Sequence, residues 1–301
     1  MSLAEEIKKL KEEKNAIILA HYYVPEEVQK IADFVGDSFA LAKKAMTTDA
    51  DIILFAGVMF MGESAKILNP DKKVLMPDMH ADCPMAHMAT VEKVKQVREQ
   101  YDDVAVVCYI NSTAELKGVS DVCVTSSNAC RIVKKLPQKN IYFIPDQNLA
   151  RFVSKQVPEK NFIFNDGYCI IHHQVSKEQL QKAKEKHPKA LVLVHPESKE
   201  ELCQLADFVG STAEIIRYAT MSDQQEFLIG TELGVLYELK QKNPDKIFYP
   251  VVENQICENM KKVTLEKVYE TLKNESNEVR MPANKVEHAL HALDQMMEMG
   301  K

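Results

Sequence analysis

The chain has 301 residues, enough for one large domain or two to three small ones, and its apolar and charged fractions of 46% and 27% are those of a globular protein. Its 38 basic and 44 acidic side chains give a net charge of −6, which argues against a surface that binds nucleic acid. No apolar run approaches the roughly 18 residues of a membrane span, and seven cysteines without an export signal favour free thiols in a reducing cytoplasm.

The first predicted element is a helix in the polar segment that begins the chain, where Ser2 and Glu5 have the spacing of a capping box. An apolar strand follows from Ile17. A second helix is predicted after this strand from apolar residues at the i, i+3, i+4, i+7 spacing, namely Val28, Ile31, Ala32 and Val35.

This opening pattern occurs three times along the chain. Apolar strands start at Ile17, Val104 and Leu191, and the segment "ADFVG" is found at both 32–36 and 206–210. Each strand ends in a polar residue that precedes a hydroxyl residue by 17 positions: His21 and Ser38, Tyr109 and Ser126, His195 and Thr212. The strand-end residues His21, Tyr109 and His195 are 88 and 86 positions apart. Three prolines have the same offsets: Pro70, Pro158 and Pro244. We interpret the repeat as three homologous modules.

The modules are predicted to have the α/β fold class. Short β-rich runs alternate with helical patterns, which indicates small parallel sheets covered by helices, with three strands expected in each module. We expect modules at 1–88, 89–174 and 175–262, arranged with pseudo-threefold symmetry around a central site, and C-terminal helices over 263–301. Ligands of parallel sheets bind at the carboxyl ends of the strands, where His21, Tyr109 and His195 lie.

Three of the seven cysteines share the module period. Cys83, Cys169 and Cys257 follow the last strand of their modules and are 86 and 88 residues apart. Three converging thiolates suit either an iron–sulfur cluster, with one iron open as a Lewis acid, or a zinc ion. The alternative is that they are core residues inherited from an ancestral module. The other cysteines lack this equivalence and are predicted to be small buried residues: Cys108, Cys123, Cys130 and Cys203.

Polar side chains at the same strand ends predict a substrate site. The hydroxyl residues Ser38, Ser126 and Thr212 lie at helix starts, where free backbone N–H groups bind anions, so we expect a polyanionic substrate. Each of them alone would be read as a helix cap. Six further residues at the strand ends carry imidazole, phenol, amide or carboxyl groups, the types that proton transfer requires. They are His21, Tyr23, Tyr109, Asn111, His195 and Glu197.

The sequence resembles the quinolinate synthase family over essentially its whole length. The resemblance rests on motifs found in order: "LAHYY", "ADFVGDS", "DCPMA", "YINSTAE", "TSSNA", "PDQNLA", "GYCIIHH", "HPES", "GST", "IGTELG" and "CENMK". It implies condensation of dihydroxyacetone phosphate with iminoaspartate, with loss of phosphate and two waters, to give quinolinate for NAD biosynthesis. It also implies a 4Fe-4S cluster held by Cys83, Cys169 and Cys257, and transient contact with the enzyme that produces iminoaspartate.

The resemblance also implies which residues form the site. The substrate is expected among His21, Ser38, Tyr109, Asn111, Ser126, His195, Glu197 and Thr212, with Tyr23, His172 and Ser211 as neighbours. Catalytic roles are expected for His21, Tyr23, Tyr109, His195 and Glu197. Two features depart from many members of the family: Ser198 stands where they carry a cysteine, and the region around Cys257 lacks further cysteines.

Two other functions stay open at this point. A 4Fe-4S hydro-lyase for a small dicarboxylic acid would share the open iron but would not need a triose-phosphate site. A non-enzymatic iron–sulfur sensor would need no polar rim around its cluster. An assay with and without dihydroxyacetone phosphate separates the first of these from quinolinate synthesis, and a substrate-induced change in the cluster spectrum argues against the second.

Overall fold

A computed structural model describes residues 2–300 and contains three four-stranded sheets in which every strand pairing is parallel. The first sheet is formed by β1 (Ala16–His21), β2 (Phe34–Gly36), β3 (Ile52–Ala56) and β4 (Lys73–Leu75). The second is formed by β5 (Val104–Tyr109), β6 (Val122–Val124), β7 (Asn140–Ile144) and β8 (Asn161–Phe164). The third is formed by β9 (Leu191–Val194), β10 (Phe208–Val209), β11 (Glu226–Gly230) and β12 (Ile247–Pro250).

The three sheets have the same strand order. In each, the first strand lies between the second and the third, and the fourth forms an edge: β2-β1-β3-β4, β6-β5-β7-β8 and β10-β9-β11-β12. This confirms the predicted α/β class with three parallel modules. The bounds of the modules and their pseudo-threefold arrangement stay predictions.

Helices connect the strands of each sheet. The first module contains α1 (Leu3–Glu13), α2 (Glu26–Ile31), α3 (Ser38–Met46) and α4 (Met59–Leu68). The second contains α5 (Val91–Gln100), α6 (Ala114–Lys117), α7 (Ala129–Lys135), α8 (Gln147–Gln156) and α9 (Ile170–His173). The third contains α10 (Lys177–Lys186), α11 (Glu200–Leu205), α12 (Thr212–Met221), α13 (Val235–Lys242) and α14 (Glu258–Lys261), and the chain continues with α15 (Leu265–Asn274) and α16 (Ala283–Met299).

The predicted capping box at the start of α1 is confirmed. The Ser2 hydroxyl accepts a hydrogen bond from the Glu5 amide at 3.3 Å, and the Glu5 carboxylate accepts one from the Ser2 amide at 2.7 Å. C-terminal helices were predicted over 263–301, and the structure has α15 and α16 in this segment. Among residues 2–300, no helix combines the length and apolarity that a bilayer span requires.

The helix predicted through Val35 was wrong in its extent, as was the expectation of three strands per module. Helix α2 ends at Ile31, and Val35 belongs to the short strand β2. The Asp33 carboxylate accepts a hydrogen bond from the Ile18 amide at 2.8 Å, and the Asp33 amide donates to the Ile18 carbonyl at 2.9 Å. This pair of bonds ties the chain to β1, so that the next residues extend the sheet rather than the helix.

The same device operates in the other two modules. The carboxylate of Asp121 accepts from the Val106 amide at 2.7 Å, and that of Asp207 accepts from the Val192 amide at 2.8 Å. Strands of two or three residues are too short to show a two-residue alternation, so the sequence pattern concealed β2, β6 and β10.

One apolar core joins the first two modules, and the C-terminal helix contributes to it. Ala289, Leu293 and Met296 of α16 are fully buried in this core. The helix packs on α4 of the first module and on α6, β6 and α7 of the second. Two smaller apolar clusters lie mainly in the third module, and Tyr22 of the first module belongs to one of them. Helix α16 therefore contributes to stability by covering two modules at once.

We expect Leu293→Ala to lower the free energy of unfolding by about 2–5 kcal/mol, because it removes a fully buried side chain from this shared core. Denaturant unfolding measures the change. Asp294→Ala is the matched control, since the neighbouring Asp294 is exposed and is expected to change stability by about 0.5 kcal/mol or less. Equal losses in the two variants would contradict the role assigned to α16.

Candidate active site

The carboxyl ends of the three sheets border one cavity of about 140 Å³. It is lined by nearly all the residues predicted for the site: His21, Tyr23, Ser38, Cys83, Tyr109, Asn111, Ser126, Cys169, His172, His195, Glu197, Thr212 and Cys257. Ser211 is the exception. Its hydroxyl accepts a hydrogen bond from the Glu214 amide at 3.3 Å and caps α12 instead of lining the cavity.

The three period-matched cysteines lie at equivalent positions around the cavity. Each precedes a short helical turn: Cys83 the 3₁₀ turn Pro84–His87, Cys169 helix α9, and Cys257 helix α14. All seven cysteines are free thiols, and Cys108 and Cys123 are fully buried as predicted, whereas Cys130 and Cys203 are only partly buried. The cavity thus collects the three thiols that share the module spacing and leaves out the other four.

Each cysteine loop is tied to its own module by one main-chain hydrogen bond. In every module, the donor is the backbone amide of the third residue after the end of the third strand. It donates to the backbone carbonyl of the residue two positions before the cysteine. The bonds are Met59 to Ala81 at 2.8 Å, Gln147 to Gly167 at 2.8 Å and Leu233 to Gln255 at 3.0 Å. We call these three bonds the loop clasps.

Gly167 shows how tightly one clasp is packed. A side-chain carbon at this position would lie 2.5 Å from the carbonyl oxygen of Pro145, closer than such atoms approach in proteins. Glycine therefore permits the close approach of the Cys169 loop to the end of β7.

The three cysteines are partly buried, and their thiols influence one another. Burial raises the pKa of Cys83 to about 12, and the nearby Cys257 thiol and Glu197 carboxylate add to the shift. Burial also raises the pKa of Cys169 well above its usual value, with contributions from Glu197 and Cys83. Without a bound cation the three groups are therefore neutral thiols, and a soft metal centre would favour their thiolate forms.

Glu197 lies at the centre of the polar side of the cavity. Its carboxylate is 2.7 Å from Nδ1 of His172 and 3.6 Å from Nδ1 of His195, with the Tyr109 hydroxyl within hydrogen-bonding reach. Burial acts to raise the pKa of Glu197, but its contacts with His172 and Tyr109 outweigh the effect of burial and lower the pKa. Glu197 is therefore an ionised, fully buried carboxylate that can accept a proton.

His172 connects three parts of the site. Besides Glu197, its Nδ1 lies 3.2 Å from the Cys169 sulfur, and its Nε2 lies 2.9 Å from the Thr231 hydroxyl. Within the described residues 2–300, Cys169, His172 and Glu197 form the group of three metal-ligand side chains whose ligand atoms all lie within 4.8 Å of one another. The three cysteine sulfurs do not form such a group, so at least one pair of them lies further apart than this limit.

Two histidines at strand ends are held in one tautomer. Nδ1 of His21 accepts a hydrogen bond from the Tyr23 amide at 3.2 Å, and Nδ1 of His195 accepts one from the Glu197 amide at 3.3 Å. Burial lowers the pKa of both rings to about 3, so both are neutral near pH 7. A neutral ring whose Nδ1 accepts carries its proton on Nε2, and each ring can therefore donate one hydrogen bond from that atom.

Two tyrosines are hydrogen-bond donors of the same site. Burial raises the pKa of Tyr23 and Tyr109 well above the usual value, so both keep their protons. The Tyr23 hydroxyl lies 2.6 Å from that of Thr212 and 2.9 Å from that of Thr231. This hydroxyl network joins the first module to the third.

The remaining polar residues of the cavity are three hydroxyl residues at helix starts, which suit an anion, and Asn111, which suits a hydrogen-bond donor. Ser38 and Thr212 are the first residues of α3 and α12, and Ser126 lies in the turn before α7, as their positions in the sequence predicted. The amide oxygen of Asn111 is buried and has no hydrogen-bond partner among the residues described. A buried orphan acceptor is costly, and a bound ligand with an N–H or O–H group would satisfy it.

Sequence reasoning missed several residues of the cavity. Glu232 lies two residues after β11 and Asp37 precedes α3, while the apolar wall includes Phe60 and Met260. Thr231, directly after β11, contacts two lining residues, His172 and Tyr23. The signal for Thr231 and Glu232 was available, because strand ends face the site and β11 is a strand. The apolar wall carried no such signal, since its residues look like ordinary core.

Comparison with known proteins adds independent information. The sequence model of the family described as "Quinolinate synthetase A protein" matches residues 5–298. The chain is 54% identical over 298 residues to a quinolinate synthase from Caldicellulosiruptor bescii, covering 99% of this chain and 98% of the relative. It is 52% identical to a quinolinate synthase from Fusobacterium nucleatum, covering 99% of each chain, and 51% identical to one from Aquifex aeolicus, covering 99% and 94%.

The two neutral histidines predict a pH dependence of stability. Each has a lower pKa when folded than the ordinary value of 6.5, so the unfolded chain binds more protons and stability is lost as pH falls from about 6.5 toward 3. Between pH 7 and pH 5 the loss is roughly 2 kcal/mol per histidine. Burial raises the pKa of the Asp146 and Glu232 carboxyls, so these two groups stabilise the folded protein as pH falls. Because the two effects oppose each other in the wild type, the test compares a histidine variant with the wild type.

Between pH 7 and pH 5 we therefore expect the free energy of unfolding of His195→Gln to fall by roughly 2 kcal/mol less than that of the wild type. Denaturant unfolding at the two pH values measures it. The control is His291→Gln, which alters an exposed histidine of α16 and should keep the wild-type change. Identical changes in all three proteins would mean that His195 is not held neutral.

Proposed function

This chain belongs to the quinolinate synthase family, and on that premise we propose that its central cavity condenses iminoaspartate with dihydroxyacetone phosphate. The products are quinolinate, phosphate and two waters, so the atoms of the two substrates are all accounted for. The observation that carries this proposal is the convergence of three module-equivalent cysteines on one cavity that is also lined by neutral histidines, tyrosines and a carboxylate.

We propose that Cys83, Cys169 and Cys257 hold a 4Fe-4S cluster. Three thiolates on a single zinc ion, at Zn–S distances of about 2.3 Å, would lie roughly 3.8 Å apart, whereas at least one pair of the three sulfurs lies more than 4.8 Å apart. A cluster binds each cysteine through a different iron and so needs a wider separation. When bound, the cluster supplies a Lewis-acidic iron without a cysteine ligand.

The substrates are anionic, and the cavity offers groups that bind anions without a cluster of lysines or arginines. The N-termini of α3 and α12 face it with Ser38 and Thr212, and the histidine Nε2–H groups and tyrosine hydroxyls are further donors. Asn111 presents its orphan oxygen to a hydroxyl or imine N–H of the ligand. Neutral donors favour binding while leaving the buried Glu197 carboxylate free to act as a base.

Glu197 and Tyr109 are placed to move protons. Glu197 is ionised and lies 2.7 Å from Nδ1 of His172, so a proton taken from carbon or oxygen of the substrate can be received there. Tyr109 remains protonated and can donate to a developing oxyanion or leaving hydroxyl. His21, His195 and Tyr23 orient the substrate through Nε2–H and O–H donors.

The supply of iminoaspartate is a further part of the proposal. An imine of this kind hydrolyses in water, so we propose that a separate enzyme oxidises aspartate and passes the product on in a transient contact. The test of the overall reaction is anaerobic reconstitution with iron and sulfide, followed by a quinolinate assay in which dihydroxyacetone phosphate is present or omitted. Product formation without the triose phosphate would contradict the proposal.

Cluster binding predicts which cysteines are required. We expect Cys83→Ala, Cys169→Ala and Cys257→Ala each to abolish cluster assembly, measured as iron and acid-labile sulfide per chain, whereas Cys203→Ala retains it. Cys108→Ala and Cys123→Ala remove small buried side chains and should cost stability by roughly 1 kcal/mol. A complete, active cluster in any of the first three variants would remove that residue from the ligand set.

The proton-transfer roles predict two variants that bind but turn over slowly. Glu197→Gln keeps the size of the side chain but cannot accept a proton, and Tyr109→Phe removes only the hydroxyl. Both should assemble the cluster and bind substrate, with turnover slower by roughly 10²–10⁴-fold. Cluster content, melting temperature and quinolinate formation are measured on the same preparations. Reduced melting temperature with nearly wild-type turnover would instead mean that both residues only stabilise the fold.

A further inference from the structure

The second and third modules each bury a carboxylate at the same place. Asp146 lies two residues after β7, and Glu232 lies two residues after β11. The two residues are 86 positions apart, as are Tyr109 and His195. Both are fully buried. Buried carboxylates cost free energy unless hydrogen bonds satisfy them, so their contacts indicate why they are there.

Asp146 joins the Cys169 loop to helix α8. One carboxylate oxygen accepts a hydrogen bond from the Cys169 amide at 2.9 Å, and the other accepts one from the Leu149 amide at 2.7 Å. The Leu149 bond is an ordinary helix cap. The Cys169 bond is not, because it reaches a residue 23 positions further along the chain and fixes the amide of a cavity cysteine.

Glu232 makes the corresponding contacts in the third module. One oxygen accepts from the Cys257 amide at 3.0 Å and lies 2.8 Å from Nζ of Lys261, and the other accepts from the Gly234 amide at 2.7 Å. Lys261 belongs to α14, the short helix that begins directly after Cys257. The carboxylate therefore holds the cysteine amide and the helix that follows it.

The first module lacks this carboxylate. Val58 occupies the equivalent position, 88 residues before Asp146. The Cys83 amide instead donates to the adjacent Asp82 carboxylate at 2.8 Å. This contact is local, and the Asp82 side chain is 44% exposed. The Cys83 loop thus keeps its loop clasp but has no buried side chain that ties its amide to the end of β3.

We propose that Asp146 and Glu232 are positioning residues that fix the amides of Cys169 and Cys257 and so set these two thiols in place for metal binding. This inference rests on the proposed cluster site. It assigns unequal roles to the three ligand loops, with those of Cys169 and Cys257 anchored from the protein interior and that of Cys83 held by the main chain.

Charge alone does not explain these carboxylates. A negative charge beside a thiol disfavours the thiolate that binds metal, so Asp146 and Glu232 act against metal binding electrostatically. Their favourable contribution is geometric: each carboxylate accepts two amide hydrogen bonds from separate chain segments. The two effects have opposite signs, which allows an experiment to separate them.

Asp146→Asn and Glu232→Gln preserve size but replace one acceptor oxygen with an NH₂ group. The new side chain can accept from only one of the two amides and faces the other with a donor. Asp121→Asn and Asp207→Asn are the matched controls, because these carboxylates also accept from a backbone amide in the same modules but contact β5 and β9 instead of the cysteine loops.

The first measurement is amide hydrogen exchange of the metal-free protein. In Asp146→Asn we expect faster exchange in the peptide 165–175 with no change in 251–262, and in Glu232→Gln the reverse, while the segment around Cys83 is unaffected in both. The controls should leave all three segments unchanged. Equal acceleration in all three segments, or none, would overturn the inference, and this arm does not depend on a cluster.

The second measurement is the rate at which a chelator removes iron from the anaerobically reconstituted protein. We expect Asp146→Asn and Glu232→Gln to release iron faster than the controls by on the order of 10-fold, since loss of a residue that orients a ligand weakens a metal site by about that amount. Release at the control rate or slower would mean that the charge effect dominates, and would overturn the inference. A wild-type protein that binds no cluster would instead contradict the proposed function.

Discussion

The loop clasp is the interaction on which the site depends. A single main-chain hydrogen bond, made once in each module, brings the residue two positions before a cysteine against the end of the third strand. Because the three sheets turn their carboxyl ends toward one cavity, three such bonds bring three thiols to its wall. Side-chain anchors add to the clasp in the second and third modules but do not replace it.

Much of this arrangement follows from sequence because repeats preserve spacing. The module period identified Cys83, Cys169 and Cys257, and the rule that ligands bind at parallel strand ends placed His21, Tyr109 and His195 beside them. Those inferences needed only the positions of a few residues relative to strands. They are therefore insensitive to errors in element bounds.

What the sequence did not reveal depends on contacts between distant segments. Strand β2 exists because Asp33 bonds to Ile18, and a three-residue strand has no pattern of its own. Ser211 and Thr212 are adjacent hydroxyl residues at one helix start, and only the geometry shows that the first caps the helix and the second lines the cavity. The contacts of Asp146 and Glu232 with the cysteine amides are hidden for the same reason, since these partners lie 23 and 25 residues away along the chain.

The site combines groups that burial makes neutral with one carboxylate that stays ionised. Burial suppresses the charge of His21, His195 and both tyrosines, while the contacts of Glu197 with His172 and Tyr109 lower its pKa and keep it charged. Such an environment gives one base among several donors, which is what a sequence of condensation and dehydration steps requires. The cost is a set of buried polar groups, among them the Asn111 oxygen, that only a ligand satisfies.

Mössbauer spectroscopy of the anaerobically reconstituted wild-type protein, recorded with iron and sulfide quantification before and after addition of quinolinate, tests whether the three cysteines hold a cluster with an open iron. Three cysteine ligands predict about four irons and four sulfides per chain, with one iron distinguishable from the other three and altered by the added quinolinate. A protein that takes up a single metal ion, or a cluster in which all the irons are equivalent and unaffected by quinolinate, would contradict the account.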